Sequence, residues 1–489
     1  MKHILIYIAA LVGVTGITSC NDWLDVSPRT EIKADDNFES EQGFKDALTG
    51  VYLLMTGTNV YGKEFTYGMA DVLAQYYTGI TQTSHSYYNE AKYAYDESAC
   101  ETRINSMWSS AYNVIANINE LISFIDKADP AMFTGRNYHL IRGEAHGLRA
   151  MLHFDILRFF APSYKAGAQT KAIPYVTVPG KDVTPLSTVE QVLNSALDDL
   201  AIAEAELSVD PVIDASVVYD TDDETYQRDR TFKFNYYAVK QLQARIYLYM
   251  GNYTEAYNAA EKVIEQTAFT WVPEAEISTN DAAQKNYVFS EELVFCLYES
   301  DLRDLYTASF TSTSGLYMTE DSYEALYEMS TYGAYADYRY TYQTEALSEI
   351  RVCSKLKQPE TGNTLYHFRL PLMRISEAYY IAAESLLQRD EDVASAANLL
   401  NTVRQHRGLT VNLEASMFTV DEMQDEIYKE YAKEFCCEGQ LFFYFKRRNM
   451  PQIPVTTAVG SNVVTTYVTP DYVLPMPDDE IEYGDRNNE

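Results

Sequence analysis

The chain has 489 residues and a formal net charge of −33, and 46% of its residues are hydrophobic. That hydrophobic share is typical of globular proteins and is sufficient for a large core. The negative charge repels polyanions, which argues against nucleic acids as partners and against anionic membranes as a binding surface. Tyrosine occurs 42 times and tryptophan 3 times. Tyrosines supply amphipathic rings both to cores and to binding surfaces, so this count alone does not separate the two roles.

The N-terminus has the features of a secretory leader. Lys2 and His3 precede an apolar run over residues 4–14, and Ile17-Thr18-Ser19 leads into Cys20. A basic start, a short apolar run and small residues predict a signal peptide over residues 1–19. The run is shorter than the roughly 20 residues of a membrane-spanning helix. Because Cys20 follows a sequence that resembles the bacterial lipoprotein box, we expect Cys20 to carry acyl chains that anchor the protein outside the cytoplasm.

The other five cysteines are Cys100, Cys296, Cys353, Cys436 and Cys437. An odd and sparse set in a chain of this length does not indicate a disulfide framework. The adjacent pair falls within a predicted helix, where neighbouring side chains point to different faces. We therefore predict that all five are small core residues.

Apolar residues at intervals of three and four predict a series of helices. They cover residues 38–55, 105–126, 137–160, 187–207, 235–250, 254–266, 372–389, 392–406 and 421–446. The helix over residues 137–160 is apolar on a wide face, which predicts deep burial, and Pro162 ends it. Residues 292–298 resemble a short strand, residues 208–231 a polar loop, and residues 472–477 an extended segment.

Two pairs of these helices resemble tetratricopeptide hairpins. Small residues and Tyr253 surround the turn at Gly251 in the first pair, and residues 372–389 and 392–406 form the second. Each hairpin needs a neighbour to cover its apolar face, which predicts a stack. We therefore expect a mostly α fold, a tetratricopeptide-like hairpin scaffold with long irregular loops and minor β elements. The Ser/Thr/Tyr-rich region 307–344 is a long predicted loop. Loops of that length are usually functional or disordered, and the aromatic residues of this one argue against disorder.

Several segments, in the same order along the chain, resemble the SusD/RagB family of outer-membrane nutrient-binding lipoproteins. They are residues 20–28 (CNDWLDVSP), 148–150 with 154–158 (LRA, FDILR), 399–404 with 407–409 (LLNTVR, RGL), the glutamates Glu430, Glu434 and Glu438, and residues 474–477 (LPMP) with 480–481. Leu441 and Tyr444 stand where the family often has arginine and aspartate. The resemblance implies one SusD-like domain over residues 20–489, without cofactor and without catalytic activity. It also implies that the protein captures oligosaccharides, or peptides in some members, and passes them to a SusC-like TonB-dependent barrel.

Four glutamates at intervals of four residues also form a pattern of their own. Glu426, Glu430, Glu434 and Glu438 place like charges on one face of a predicted helix, which is unfavourable without partners. Such a face requires either solvent or arginines. Arg404, Arg407 and Arg149 are the candidate partners, and the sequence does not choose among them.

Two aromatic regions are the candidate ligand sites. Family members place ligand contacts in the early loop that corresponds to residues 71–89, so tyrosines here could stack on sugar rings while Asp71 and Asn89 bind hydroxyl groups. The first patch contains Asp71, Gln75, Tyr76, Tyr77, His85, Tyr87, Tyr88 and Asn89, and the second contains Tyr306, Phe310, Tyr317, Tyr332, Tyr335, Tyr338 and Arg339. The alternative is that these side chains pack in the core. For Arg339, the sequence Asp337-Tyr338-Arg339 resembles a family motif that can be structural.

Other chemistries have weaker signals. His146 and His153 are seven residues apart, which does not suit a pair of metal ligands on a helix, and the acidic run 214–224 lacks the glycine and spacing of a calcium loop. A surface glycosidase would need two facing carboxylates, which sequence alone does not reveal. No nucleophile elbow or phosphate loop is present. A glycosidase and a helical scaffold that binds only proteins remain as alternatives to a nutrient-binding lipoprotein.

Overall fold

The computed structural model describes residues 37–214, 224–329, 336–348, 350–359, 366–459 and 462–486. Most of these residues are helical. The α-helices are α1 (Glu41–Met55), α2 (Met69–Leu73), α3 (Ser98–Ile125), α4 (Asn137–Phe160), α5 (Tyr164–Gly167), α6 (Val189–Glu206), α7 (Glu224–Gln227), α8 (Tyr236–Met250), α9 (Tyr253–Ile264), α10 (Glu274–Ile277), α11 (Leu302–Phe310), α12 (Glu320–Leu326), α13 (Tyr338–Gln343), α14 (Ile375–Asp390), α15 (Val393–His406), α16 (Val420–Glu434), α17 (Leu441–Arg448) and α18 (Asp478–Tyr483). None of the helices in these ranges is long and apolar enough to cross a membrane.

The strands are short and pair in twos. They are β1 (Lys171–Pro174), β2 (Leu186–Thr188), β3 (Leu293–Tyr298), β4 (Thr344–Leu347), β5 (Ile350–Cys353), β6 (Arg369–Arg374), β7 (Ile453–Val459) and β8 (Asn462–Val468). They form the antiparallel pairs β1–β2, β3–β6, β4–β5 and β7–β8. The predicted fold class, mostly α with minor β elements, is confirmed.

Helix α4 lies at the centre of the core, as its wide apolar face predicts. It is covered by α3 and α6 and ends before Pro162. Two glycines allow its neighbours to approach closely, because a Cβ at Gly147 would lie 2.3 Å from the ring of Phe234 and one at Gly143 would lie 2.6 Å from Leu207. The core therefore depends on small residues at the helix crossings.

The two predicted hairpins are present and pack together. Asn235 caps α8, whose C-terminal turn uses Gly251 at a φ of 74°, and α9 then packs against α14, the first helix of the α14–α15 hairpin. A left-handed residue at this turn favours glycine. The stack buries a face of each pair that neither could bury alone.

The glutamates of α16 face arginines inside the protein. Glu430 accepts hydrogen bonds from Arg404 at 2.8 Å and from Arg339 at 2.9 Å, and Glu434 accepts one from Arg407 Nε at 3.0 Å. Burial alone would raise the pKa of Glu430, but the positive charges of Arg339, Lys433 and Arg404 together hold it well below its usual range. Arg404 and Arg407 are thus partners of this face, whereas the solvent-exposed alternative is wrong for Glu430 and Glu434.

The third candidate, Arg149, belongs to a different buried cluster. Asp199 accepts hydrogen bonds from Arg149 Nε at 2.8 Å and contacts His146 Nδ1 at 2.8 Å. His153 accepts a hydrogen bond from the Val176 amide at 3.0 Å, and burial lowers its pKa to about 4. Both histidines therefore make structural contacts between α4 and its neighbours.

The single helix predicted over residues 421–446 is two helices. α16 ends at Glu434, and the chain turns through Cys437 at a φ of 68° and Gly439 at a φ of 71° before α17. A Cβ at Gly439 would lie 2.5 Å from the Phe65 carbonyl oxygen. Because the helix stops, Cys436 and Cys437 do not diverge as predicted, and their sulfur atoms lie within 4.8 Å of each other.

Other segments contain more regular structure than the sequence predicts. The described parts of region 307–344 contain α12, α13 and the end of α11, and residues 372–374 belong to strand β6 and precede α14. The polar segment 208–231 includes buried Arg230, which donates to Glu144 at 2.6 Å and to Asp210 at 2.9 Å. The acidic run falls mostly on residues 215–223, which lie outside the described residues.

Candidate functional site

Asp71 lies in the core. It is on α2, it is fully buried, and its Oδ1 accepts a hydrogen bond from the Gly439 amide at 3.0 Å. Burial raises the pKa of this carboxyl well above its ordinary value. The structure therefore places Asp71 where it fixes the turn between α16 and α17 and not where a soluble ligand could reach it.

Three of the four predicted tyrosines of the first patch are also buried. Tyr76 donates to the Ala432 carbonyl at 2.6 Å, and Tyr77 donates to the Tyr67 carbonyl at 2.8 Å. Tyr87 donates to Glu64 at 2.9 Å. Each hydroxyl is thus occupied by a protein acceptor, as is usual for buried tyrosines.

The remaining members of the first patch are partly exposed. Gln75, at a φ of 63°, donates to the Ala91 carbonyl at 2.9 Å, and Asn89 and His85 are half-buried. Tyr88 is half-buried, and the Lys92 ammonium lies 3.8 Å from the centre of its ring. These side chains retain a face toward solvent.

The second patch also contains both buried and partly exposed side chains. Phe310 stacks on Tyr306 at 5.4 Å between ring centres, and both are buried, while Arg339 is fully buried and donates to Asp337 at 2.8 Å. Asp337-Tyr338-Arg339 is therefore structural, although Tyr338 is half-buried. Tyr317 is half-buried as well. Tyr332 and Tyr335 lie outside the described residues.

The fold brings the two patches into contact. The Gly79 amide donates to the Tyr317 carbonyl at 3.3 Å, and the Thr319 amide donates to Thr78 Oγ1 at 3.1 Å. A Cβ at Gly79 would lie 2.3 Å from the Tyr317 ring, so a glycine is needed for this close approach. We call residues 75–80 and 315–319 the junction.

A groove of about 700 Å³ opens beside the junction. Its walls are the junction, α12, α16, α17 and the β7–β8 hairpin. The lining residues are Ala74, Gln75, Tyr76, Thr78, Met318, Ser322, Glu324, Ala325, Leu326, Glu328, Met329, Tyr428, Lys429, Ala432, Leu441, Phe445, Pro454 and Thr465. This volume suits a small ligand, and apolar walls with a few polar groups are typical of binding sites.

The polar side of this groove contains a charged trio. Lys429 Nζ lies 2.6 Å from Glu426 and 3.2 Å from Glu328. Partial burial alone would lower the pKa of Lys429, but the hydrogen bonds and negative charges of Glu426 and Glu328 together outweigh burial, so its pKa is raised and the ammonium stays protonated. The trio therefore offers a fixed donor and carboxylate acceptors at the edge of an apolar surface.

Sequence reasoning missed most of this groove. The hairpin that supplies Pro454 and Thr465 was not predicted, although Val/Thr-rich runs on both sides of Gly460-Ser461 are a hairpin signal. Tyr428 and Lys429 were counted only as part of a helix, since their position opposite α12 depends on tertiary packing. Gln75, Tyr76 and the junction were within the predicted patches.

A second groove, also of about 700 Å³, lies on another face. It is formed by α3, the segment 174–184 and α18, and its walls include Trp108, Tyr112, Asp182 and Arg486. Arg486 donates to Glu480 at 2.9 Å. None of the residues of the two predicted patches lines this groove.

Comparison with known proteins places the chain in a family. Residues 175–485 match the model of the SusD family, and residues 22–248 match a SusD-like family described as starch-binding and associating with the outer membrane. SusD-like protein P25 of Formosa agariphila is 22% identical over 312 residues, 62% of this chain. The matched region spans about half, 53%, of that relative's length.

Solved structures share the fold. A SusD superfamily protein from Bacteroides thetaiotaomicron has a TM-score of 0.69 at 21% identity, covering 91% of this chain and 98% of that one. A SusD-like carbohydrate-binding protein from Bacteroides vulgatus has a TM-score of 0.66 at 18% identity, covering 91% and 97%. The chain belongs to the SusD family, whose members are non-catalytic binding proteins associated with the outer membrane.

Proposed function

We propose that this protein is a cell-surface lipoprotein that binds a neutral oligosaccharide in the groove beside the junction. The observation that carries the proposal is that the fold joins both sequence-predicted patches at the edge of one groove. The anchor is Cys20, and the ligand passes to a SusC-like TonB-dependent barrel in the outer membrane. The family match and the likeness to a carbohydrate-binding protein support the ligand class.

The chemistry of the groove favours sugars. Half-buried Tyr428 offers an aromatic face, which suits the apolar face of a pyranose ring, and buried Phe445 packs against the Tyr428 ring at 5.7 Å between ring centres. Gln75, Glu324 and Lys429 offer donors and acceptors for hydroxyl groups. Because the chain carries a net charge of −33 and two carboxylates border the groove, acidic glycans would be repelled.

The contact residues we propose are the exposed members of both patches together with the groove walls. Tyr88, Asn89 and the junction residue Tyr317 are half-buried and keep solvent-facing surface, and Tyr76 lines the groove. Buried Asp71, Tyr77, Tyr87, Tyr306, Phe310 and Arg339 support this surface from inside. We therefore assign these six a structural part in the site.

The test is a glycan and peptide array probed with the purified full chain in detergent, followed by chromatography of the bound ligand. We expect retention of neutral oligosaccharides that are recovered unchanged. Retention of peptides alone would replace sugar by peptide as the ligand class. Shortened glycans, with shortening abolished by a carboxylate variant, would contradict a binding function and indicate a glycosidase.

A further inference from the structure

Three buried cysteines lie close together, although one of them is distant in sequence from the other two. Cys353 ends β5, and Cys436 and Cys437 lie in the turn between α16 and α17. Their Sγ atoms all lie within 4.8 Å of one another, and all three side chains are buried. Cys100 and Cys296, the other described cysteines, are buried without joining such a cluster.

The turn is built so that both adjacent cysteines face Cys353. Cys437 adopts a φ of 68°, a left-handed conformation that non-glycine residues adopt at an energetic cost. Gly439 follows at a φ of 71°, and its amide is held by Asp71 Oδ1 at 3.0 Å. A continuous helix would have separated the two sulfurs, so this backbone geometry is what assembles the cluster.

A buried polar group beside the cluster lacks a partner. Asp71 Oδ2 is buried and has no hydrogen-bond partner among the described residues. Asp71 interacts electrostatically with Cys353 and Cys436, and the Tyr77 hydroxyl lies 3.8 Å from Cys437 Sγ. An unsatisfied buried carboxylate oxygen is costly and calls for a cationic or hydrogen-bonding neighbour.

We propose that Cys353, Cys436 and Cys437 form a binding site for one zinc ion. Thiolates are the ligands that zinc and other thiophilic cations prefer, and ligands at about 2.3 Å in a tetrahedral arrangement place sulfurs about 3.8 Å apart. The upper limit of 4.8 Å between any two of these sulfurs is within about 1 Å of that spacing. The ion balances the negative charge of the thiolates, and the Tyr77 hydroxyl, 3.8 Å from Cys437 Sγ, lies where it supports a ligand sulfur.

A disulfide explains the cluster less completely. A bond between any two of the sulfurs would leave the third thiol alone and Asp71 Oδ2 still without a partner. Lys355, the nearby cation, is already engaged by Glu438 Oε1 at 2.9 Å. A single metal ion satisfies all three sulfurs at once. We infer a structural role, because all three cysteines are buried and a soluble substrate could not reach the ion.

The test measures zinc in the full chain, purified anaerobically in detergent with added zinc and then washed with a weak chelator. We expect about one zinc per chain, retained in Cys100→Ser and Cys296→Ser and lost in Cys353→Ser. X-ray absorption at the zinc edge of the unmutated protein should show about three sulfur neighbours near 2.3 Å. This spectrum identifies the zinc ligands in the unmutated protein, so it tests the proposal even if Cys353→Ser does not fold.

Three results of the zinc measurements would overturn the proposal. They are absence of tightly held zinc, zinc that Cys353→Ser retains in full, and zinc surrounded only by oxygen and nitrogen, which would reflect binding to surface carboxylates. Peptide mapping of a disulfide among the three cysteines in the zinc-treated protein would also overturn it.

Discussion

The four tyrosines of the first patch should differ in how much each contributes to the stability of the fold. Tyr76, Tyr77 and Tyr87 are buried with occupied hydroxyls, whereas Tyr88 is half-exposed. Replacing any of the first three by alanine should lower the free energy of unfolding by about 3–5 kcal/mol, because it leaves a cavity and an unpaired acceptor. Tyr88→Ala should cost less than about 1 kcal/mol. Urea unfolding of the four single variants checks this, and equal small losses would contradict the burial described.

His153 predicts a defined pH dependence of stability. Burial lowers its pKa from an ordinary 6.5 to about 4 in the folded protein, so between these values the unfolded chain binds more protons. The contribution of His153 to the free energy of unfolding is fully present above pH 6.5 and is lost as the pH falls toward 4. The expected loss between pH 7 and pH 5 is about 2 kcal/mol.

The measurement for His153 is urea unfolding at several pH values from 7 to 5. His153→Gln, which cannot titrate, serves as the control and should show a flatter profile. Carboxylates such as Glu430, whose pKa is held low, lose their contribution only below about pH 4.5, so they leave this window nearly clear. Identical profiles for both proteins would contradict the assignment.

At the scale of elements, the break between α16 and α17 is the most constrained feature. Gly439→Ala would force a left-handed residue and a contact of 2.5 Å with the Phe65 carbonyl, so we expect a loss of at least about 2 kcal/mol. Gly50→Ala in α1 is the matched control, because nothing lies within 4 Å of the added Cβ. That substitution should stabilise by about 0.5–1 kcal/mol. Thermal unfolding of both variants tests this prediction. Similar shifts of the two midpoint temperatures would be inconsistent with a strained turn.

The same element shows what periodicity can and cannot predict. Apolar spacing correctly located α4 and the two hairpins, although α4 is buried on every side from Gly143 to Phe160. The break after Glu434 was missed because Glu438 continues the four-residue spacing of the α16 glutamates, and the reason for the turn lies in Phe65 and Asp71, far away in sequence. Burial of the α16 glutamates likewise depends on arginines contributed by other elements.

At the scale of the whole molecule, the predicted anchor determines where the protein resides. Cys20 lies outside the described residues, so its lipidation stays a prediction from sequence. Cys20→Ala should abolish incorporation of a labelled fatty acid and move the protein from the membrane fraction to the soluble fraction. Labelling that persists in Cys20→Ala, or an unlabelled native protein, would contradict the anchor.

The candidate site could be predicted only in part. Gln75 and Tyr76 of the first aromatic region line the groove, and Tyr317 of the second region is adjacent to Met318 in its wall, while the ligand contacts of both regions stay a prediction. The exposure of single tyrosines was not predictable, because Tyr87 and Tyr88 are adjacent and only packing against Glu64 separates their roles. The wall formed by α12 and β7–β8 requires long-range contacts that one sequence does not display.

The central claim, that the groove beside the junction holds the ligand, is tested most directly by filling it. Ala325 on α12 lines this groove, and Ala116 on α3 lines the second groove. Titration calorimetry with an oligosaccharide retained on the array should show at least tenfold weaker binding for Ala325→Trp and unchanged binding for Ala116→Trp. The reverse pattern, or full affinity in Ala325→Trp, would contradict the account.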